Sequence, residues 1–326
     1  MRKGITNIIG IIIAVGVLST PTKAEVFRGV GGDAIPTPAE IEYQGEHGVK
    51  VVRLMVHIDP SAVNGWGPSE YFLATQIWFQ WFDYLLPFYR DQGIKVILNI
   101  PYPPGGYGNN RKFRLFNTVR AGGKKYRHWG WTYFGDVWRF LADKYKDEDV
   151  VMGFDLMNEP HNGAREIFEL QENITGRIRE VSDKVVFHTN RTGQCENFKD
   201  MRRSGWNNVK YTCHDYVPFT LTHQGTRANR PVRYKYPSRK FRKSQIVNSL
   251  KHVRAFARLV GNENIYIGEG AISNATDVAS KLAWTRDMME QVRPYNWTLF
   301  FMHGQEWRNS IWEPVPEVRE QLKTEF

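Results

Sequence analysis

Two glutamates stand where a strand would stop and a loop begin. Glu159 lies near the end of the run Gly153-Phe154-Asp155-Leu156-Met157-Asn158-Glu159-Pro160, and Glu269 near the end of Ile265-Tyr266-Ile267-Gly268-Glu269-Gly270. Hydrolysis of a glycosidic bond calls for such a pair. One carboxylic acid protonates the leaving oxygen, and a second carboxylate works on the opposite face of the sugar, as nucleophile or as base for water. Arg53 sits inside the apolar run Val51-Val52-Arg53-Leu54-Met55-Val56, where an unpaired cation is costly. It needs a carboxylate, and Glu269 is the natural partner, a pairing that would keep Glu269 ionised. Asn158, next to Glu159, is placed to hydrogen-bond a sugar 2-hydroxyl. The run Cys213-His214-Asp215-Tyr216 puts His214 and Tyr216 on one face of a strand, His214 to tune the acid and Tyr216 to orient the nucleophile.

Such residues work only if the chain gathers them at one mouth. Apolar runs predict strands at Val26–Val30, Val51–Val56, Lys95–Ile100, Val151–Met157, Val185–Thr189, Lys210–His214, Ile265–Gly268 and Trp297–Met302. Between them, helical patterns run over Glu70–Gln92, Phe134–Lys146, Ala164–Ser182, Ser244–Val260 and Val278–Val292. Strands alternating with helices imply a parallel sheet and an α/β fold. Gly29-Val30-Gly31-Gly32 lacks the spacing and following helix of a dinucleotide site. A single (β/α)8 TIM barrel over residues 25–326 therefore fits better than an open doubly wound sheet, and such barrels carry catalytic groups at the carboxyl ends of their strands.

Taken singly, each residue has a bland explanation. Pro160 can open a helix and make Glu159 a structural carboxylate, and His214 and Tyr216 can be satisfied core polar groups. The ordered set carries more weight. Arg53, Asn158-Glu159-Pro160, His214, Tyr216 and Glu269, each at its strand, resemble glycoside hydrolase family 5, the cellulase-like retaining β-glycosidases. The resemblance covers the mature chain. It implies Glu159 as acid/base, Glu269 as nucleophile, net retention at the anomeric carbon, carboxyl groups ~5–5.5 Å apart and no cofactor. The chain departs from the family's pattern in three places. Asn99-Ile100-Pro101 stands where a histidine usually ends the third strand, and Gly270-Ala271 replaces the aromatic that often follows the nucleophile. At the eighth strand, the run Phe300-Phe301-Met302-His303-Gly304-Gln305-Glu306-Trp307 offers His303 or Trp307 in place of the usual tryptophan platform.

The 326 residues are 41% hydrophobic and 14% aromatic, with 11 Trp. Trp66, Trp129, Trp131, Trp307 and Trp312 fall in expected mouth loops, where two or three of them would line a sugar cleft. Arg2 and Lys3, an apolar run from Ile8 to Leu18 and Thr22-Lys23-Ala24 read as a secretory leader, residues 1–24. The run is too short to span a bilayer core of ~30 Å, so a secreted or periplasmic protein without stable membrane insertion is expected. The leader's three positive residues account for the fall from a net +10 to +7 in the mature chain. Secretion permits a Cys195–Cys213 disulfide; two buried thiols are the alternative. No cluster has zinc-ligand spacing, so no metal is expected.

Two stretches, Arg111–His128 and Thr226–Lys243, carry seven and eight Lys/Arg and no acid. Ordinary solvated loops explain them; an acidic polysaccharide at the catalytic face is the sharper reading. Nucleic acid lacks any accompanying motif. The expectation is thus a monomeric endo-acting hydrolase of β-1,4-linked polysaccharide. The alternative is a non-catalytic barrel that binds an anionic exopolymer.

Overall fold

The computed structural model describes residues 11–20, 23–32, 36–46, 48–56, 66–108, 112–121, 124–225, 231–273 and 275–303. In chain order its strands and helices are β1 (Ile11–Thr20), β2 (Lys23–Gly32), α1 (Pro38–Glu46), β3 (Val49–Met55), α2 (Pro68–Asp91) and β4 (Lys95–Asn99). Then come β5 (Thr118–Ala121), β6 (Lys124–Arg127), α3 (Gly130–Tyr145), β7 (Val151–Asp155), α4 (Ala164–Arg179), β8 (Val185–Gln194) and β9 (Val209–His214). The chain continues through α5 (Phe219–Thr222), α6 (Lys243–Ser249), α7 (Lys251–Val260), β10 (Ile265–Gly270), α8 (Val278–Val292) and β11 (Thr298–His303).

Strands β2, β3, β4, β7, β8, β9, β10 and β11 pair in that order, each parallel to the next, and β11 closes on β2 at Met302↔Gly31. This is the expected (β/α)8 barrel. The segment Ile11–Thr20 lies antiparallel to both β2 and β11. Because β11 also meets β2 directly, closure does not depend on that segment.

The helices form where apolar spacing and end signals agree. Helix α2 opens on Pro68 with Glu70 accepting from the Gly67 amide at 3.1 Å, and buries Tyr71, Thr75, Trp78, Phe82, Leu85 and Tyr89 along one stripe. Helix α4 repeats the pattern, with Glu166 bonded to the Gly163 amide at 3.0 Å and Ile167, Leu170, Ile174 and Ile178 inward. Asp277 accepts from the Ser280 amide at 3.0 Å and caps α8.

The structure differs from the sequence reading in a few places. The expected helix Ser244–Val260 is broken at Leu250 into α6 and α7. The first basic stretch folds in part as the β5–β6 hairpin. Strand β8 runs on to Gln194, past the expected Thr189. Of the two alternatives held open for the cysteines, the disulfide is the one formed, with the Cα atoms of Cys195 and Cys213 5.0 Å apart.

Candidate active site

Alternation along the strands decides what enters the barrel. Val51, Met55, Ile97, Phe187 and Tyr266 pack together in the barrel interior, whereas Val52, Leu54, Leu98 and Phe154 belong to the layer shared with the helices. The same parity turns Arg53 on β3, Asn99 on β4 and Asp155 on β7 inward. Arg53 is 2% exposed and donates from all three guanidinium nitrogens: Nε to Asp155 Oδ2 at 2.6 Å, Nη1 to Glu269 Oε1 at 2.9 Å and Nη2 to Asn158 Oδ1 at 3.0 Å. Burial works against the cation, but the attraction of Asp155 and Glu269 outweighs it and holds the guanidinium charged. For Asp155, burial pushes the carboxyl upward while Arg53 pulls it back. A guanidinium that keeps its proton and a 2.6 Å contact favour the ionised carboxylate. Asn99 Nδ2 donates to the Asp155 carbonyl at 3.0 Å, tying β4 to β7 beneath the site.

Glu269 reaches the interior by a break in register. Along β10, Ile265, Tyr266 and Ile267 oppose Tyr211, Thr212 and Cys213, but Glu269 opposes His214, so Gly268 is an extra residue. With Tyr266 inward, strict alternation would point Gly268 in and Glu269 out; the bulge reverses this. A Cβ at Gly268 would lie 2.4 Å from Thr212 Oγ1, so a side chain there would disrupt the turn of phase. Once inside, Glu269 accepts from Arg53 through Oε1 and from the Tyr216 hydroxyl through Oε2 at 2.9 Å, with His214 Nδ1 at 3.3 Å. Burial raises its carboxyl; His214 and Arg53 draw it back down, Glu159 opposes them, and the Tyr216 bond helps to lower it. Tyr216 is itself pushed well above the ordinary phenol range, first by burial and then by Glu269. It therefore stays a donor.

Glu159 is presented differently. It follows β7 with a backbone φ of 41°, a sparsely populated conformation for a residue with a side chain. Its side chain is 28% exposed against 4% for Glu269. His214 Nδ1 lies 2.9 Å from Glu159 Oε1 and so stands between the two carboxylates. One oxygen of each glutamate and this nitrogen all fall within 4.8 Å of one another. Three such atoms could also surround a cation. Here they already engage one another and Tyr216, and the fixed charge of Arg53 stands beside Glu269, so the cluster is a hydrogen-bonded network.

The structure brings Arg53, Asn158, Glu159, His214, Tyr216 and Glu269 to one place. Asn158 is engaged by Arg53 there, a link the sequence reading did not include. His303 ends β11; Trp307 and Trp312 lie outside the described residues. Trp66, Trp129 and Trp131 are half-buried against the core, and Arg127 covers the Trp131 ring at 4.0 Å.

Two site residues were missed by sequence reasoning. Asp155 is an acid in an apolar strand run, the same signal that singled out Arg53. Asp215 is 1% exposed, accepts from the Val217 amide at 3.0 Å and Ser249 Oγ at 2.5 Å, and donates its own amide to the Glu269 carbonyl at 2.8 Å. Burial pushes its carboxyl up to about 7. Its position beside His214 was visible; its burial was not.

Comparison with known proteins bears on the fold and the family. The chain is 23% identical to Endoglucanase C of Acetivibrio thermocellus, a match covering 84% of this chain and 85% of that protein. It is 28% identical to Endoglucanase B of the same organism, where the match spans 39% of this chain and 22% of that protein. Among solved structures, Cel5A of Thermotoga maritima in complex with mannotriose superposes with a TM-score of 0.67 at 20% identity, covering 88% of this chain and 90% of that one. The cellulose synthase subunit Z of Clostridioides difficile gives 0.67 at 16% identity, covering 88% and 92%. The family model described as Cellulase (glycosyl hydrolase family 5) matches residues 19–305, and the chain belongs to that family.

Proposed function

We propose that the protein is a secreted, retaining, endo-acting β-glycosidase that hydrolyses β-1,4-linked polysaccharide by double displacement. The observation that carries this reading is the close approach of Glu159 and Glu269, within 4.8 Å at their facing oxygens and shared by one imidazole nitrogen. Inverting enzymes need ~6.5–9.5 Å between their carboxyl groups to admit water, and retaining ones only ~5–5.5 Å.

Each residue then has a defined task. Glu159, with access to solvent, carries the proton to the leaving glycosidic oxygen as Glu269 bonds to the anomeric carbon. Glu159, now ionised, takes a proton from water as that water attacks the same carbon and frees Glu269. Arg53 and Tyr216 hold both oxygens of the nucleophile and fix its plane before the substrate arrives. His214 Nδ1, 2.9 Å from Glu159 and 3.3 Å from Glu269, holds the two carboxylates at one spacing.

Three further points belong to the same proposal. The N-terminal charge and hydropathy pattern and the Cys195–Cys213 disulfide favour removal of residues 1–24 and an oxidising compartment. No helix among the described residues is long and apolar enough to cross a membrane. Exposed Lys124, Lys125 and Arg127 on β6, in the loop leaving the carboxyl end of β4, give the catalytic face a positive field that suits an acidic polymer. The protein is proposed to act as a monomer.

Reducing-end release from β-1,4-glucans, mannans and an acidic exopolysaccharide tests the reading. Activity of the mature protein that both Glu159→Gln and Glu269→Gln lose is the expected result. Binding without turnover, unchanged in both variants, would make the barrel a binding module and sink the proposal.

A further inference from the structure

Strand β8 does not stop where its ladder does. Its residues Val186 to Thr189 pair in register with Val209 to Thr212, and pairing resumes only at Gln194↔His214. Over that gap β8 advances five residues while β9 advances two, so β8 throws out a tight excursion. Thr192 and Gly193, consecutive residues in the excursion, both have φ of 69°. Asn190 Nδ2 bonds the Gln194 carbonyl at 2.7 Å and Asn197 Nδ2 bonds Thr192 Oγ1 at 2.8 Å, so the excursion is stapled on both sides.

It is aimed at Glu159. The Thr192 amide donates to the Pro160 carbonyl at 2.7 Å, one residue beyond the glutamate. A Cβ at Gly193 would lie 2.9 Å from Glu159 Cγ, 3.3 Å from Glu159 Cα and 3.4 Å from His214 Nδ1. Any side chain at Gly193 would thus press on the glutamate's stem and on the imidazole that bonds its tip. The disulfide fastens the same two pieces: Cys195 lies two residues after Gly193, and Cys213 immediately precedes His214. Both cysteines are buried.

We infer that the Thr192–Gly193 excursion, locked by the Cys195–Cys213 disulfide, is a positioning device for the general acid/base Glu159. Gly193 is a positioning residue and not a catalytic one. It has the one side chain that lets the backbone back up against Glu159, and its left-handed conformation suits glycine. The inference rests on the proposed role of Glu159. It goes further in making the acid's geometry depend on β8 and a covalent bond instead of on the strand that carries the acid.

The test separates positioning of the acid from general damage by the leaving group. An aryl β-cellobioside with a strongly acidic phenol departs without protonation, whereas one with a poor leaving phenol requires Glu159. The kcat/KM of each reports the steps up to formation of the glycosyl-enzyme. For Gly193→Ala, kcat/KM with the poor leaving group is expected to fall about 10²-fold, the effect of a displacement near 1 Å, and that with the activated one to stay near wild type. The Cys195→Ala/Cys213→Ala double variant should show the same selectivity at smaller amplitude, so the idea does not rest on one substitution folding. Equal losses on both substrates in either folded variant would overturn the inference while leaving the two-carboxylate reading intact. A wild-type protein inactive on both would overturn that reading itself.

Discussion

Around Glu269, side chains from β3, β9 and the loop that follows β9 converge: Arg53, His214 and Tyr216 lie within 3.3 Å of its oxygens, in a pocket that leaves it 4% exposed. Around Glu159 the support is different in kind: an imidazole, a strained backbone at φ 41° and the main chain of the β8 excursion, with 28% of the side chain open. Under the proposed roles, the contrast follows from what each carboxylate has to do. A nucleophile works from one charge state, so fixed donors and a permanent cation serve it. An acid/base changes charge twice per turnover, and a shell of permanent donors would bias it toward one state. The protein therefore fixes the first electrostatically and the second mainly by shape.

The largest effect that could break this contrast comes from the carboxylates themselves. Glu269→Gln should lower kcat about 10⁴-fold or more on any substrate. Glu159→Gln should cost about 10²–10⁴-fold on polysaccharide but spare kcat/KM on an activated aryl glycoside. Equal loss for both variants on both substrates, followed by steady-state kinetics, would erase the division of labour.

Arg53→Met comes next. It leaves Asp155 and Glu269 buried without their cation, which should destabilise the fold by about 3–5 kcal/mol in urea unfolding. Because burial already raises Glu269 and Arg53 is one of the groups that draw it down, the acidic limb of the kcat/KM profile should move to higher pH. An unmoved limb would mean that Arg53 does not set the charge of Glu269.

Tyr216→Phe is a milder probe of the same half. Losing the 2.9 Å bond to Glu269 Oε2 should lower kcat/KM about 10–10²-fold, the range for a hydrogen bond to a charged group, with little change in unfolding midpoint. The smallest effect concerns Asp215, whose carboxyl burial raises from 3.8 to about 7. The folded state then binds the proton more tightly than the unfolded one, so this group makes stability fall as pH rises through that window. Asp215→Asn should flatten that decline in Tm measured against pH. An unchanged slope would place the titration elsewhere.

Much of the barrel was readable because its strands are buried on both faces and so appear as plain apolar runs. All eight parallel strands lie where such runs were drawn, within a few residues except at the long ends of β2 and β8. Helix α1 was not seen because it is short and mostly polar, burying Ile41 and Gln44. Polar strand-end residues were legible by their chemistry, Arg53 above all. What stayed hidden depends on contacts distant in sequence: that Asp155 and Glu269 share one guanidinium, that Asp215 is sealed by Ser249 on α6, and that β8 turns back toward Glu159. The β10 bulge is the sharpest case. Gly268 reads as an ordinary small residue until its neighbour Thr212 is placed.

That bulge also divides β10 into two lengths with separate fates. From Ile265 to Ile267 the strand faces as an uninterrupted ladder dictates, and changes there are matters of core volume. From Glu269 onward its orientation is inherited from a single inserted residue. A one-residue deletion at Gly268 would leave every amino acid of the proposed catalytic set in the chain and still rotate Glu269 out toward the helices. In this barrel, residue count between fixed points is as much a part of the active site as residue identity.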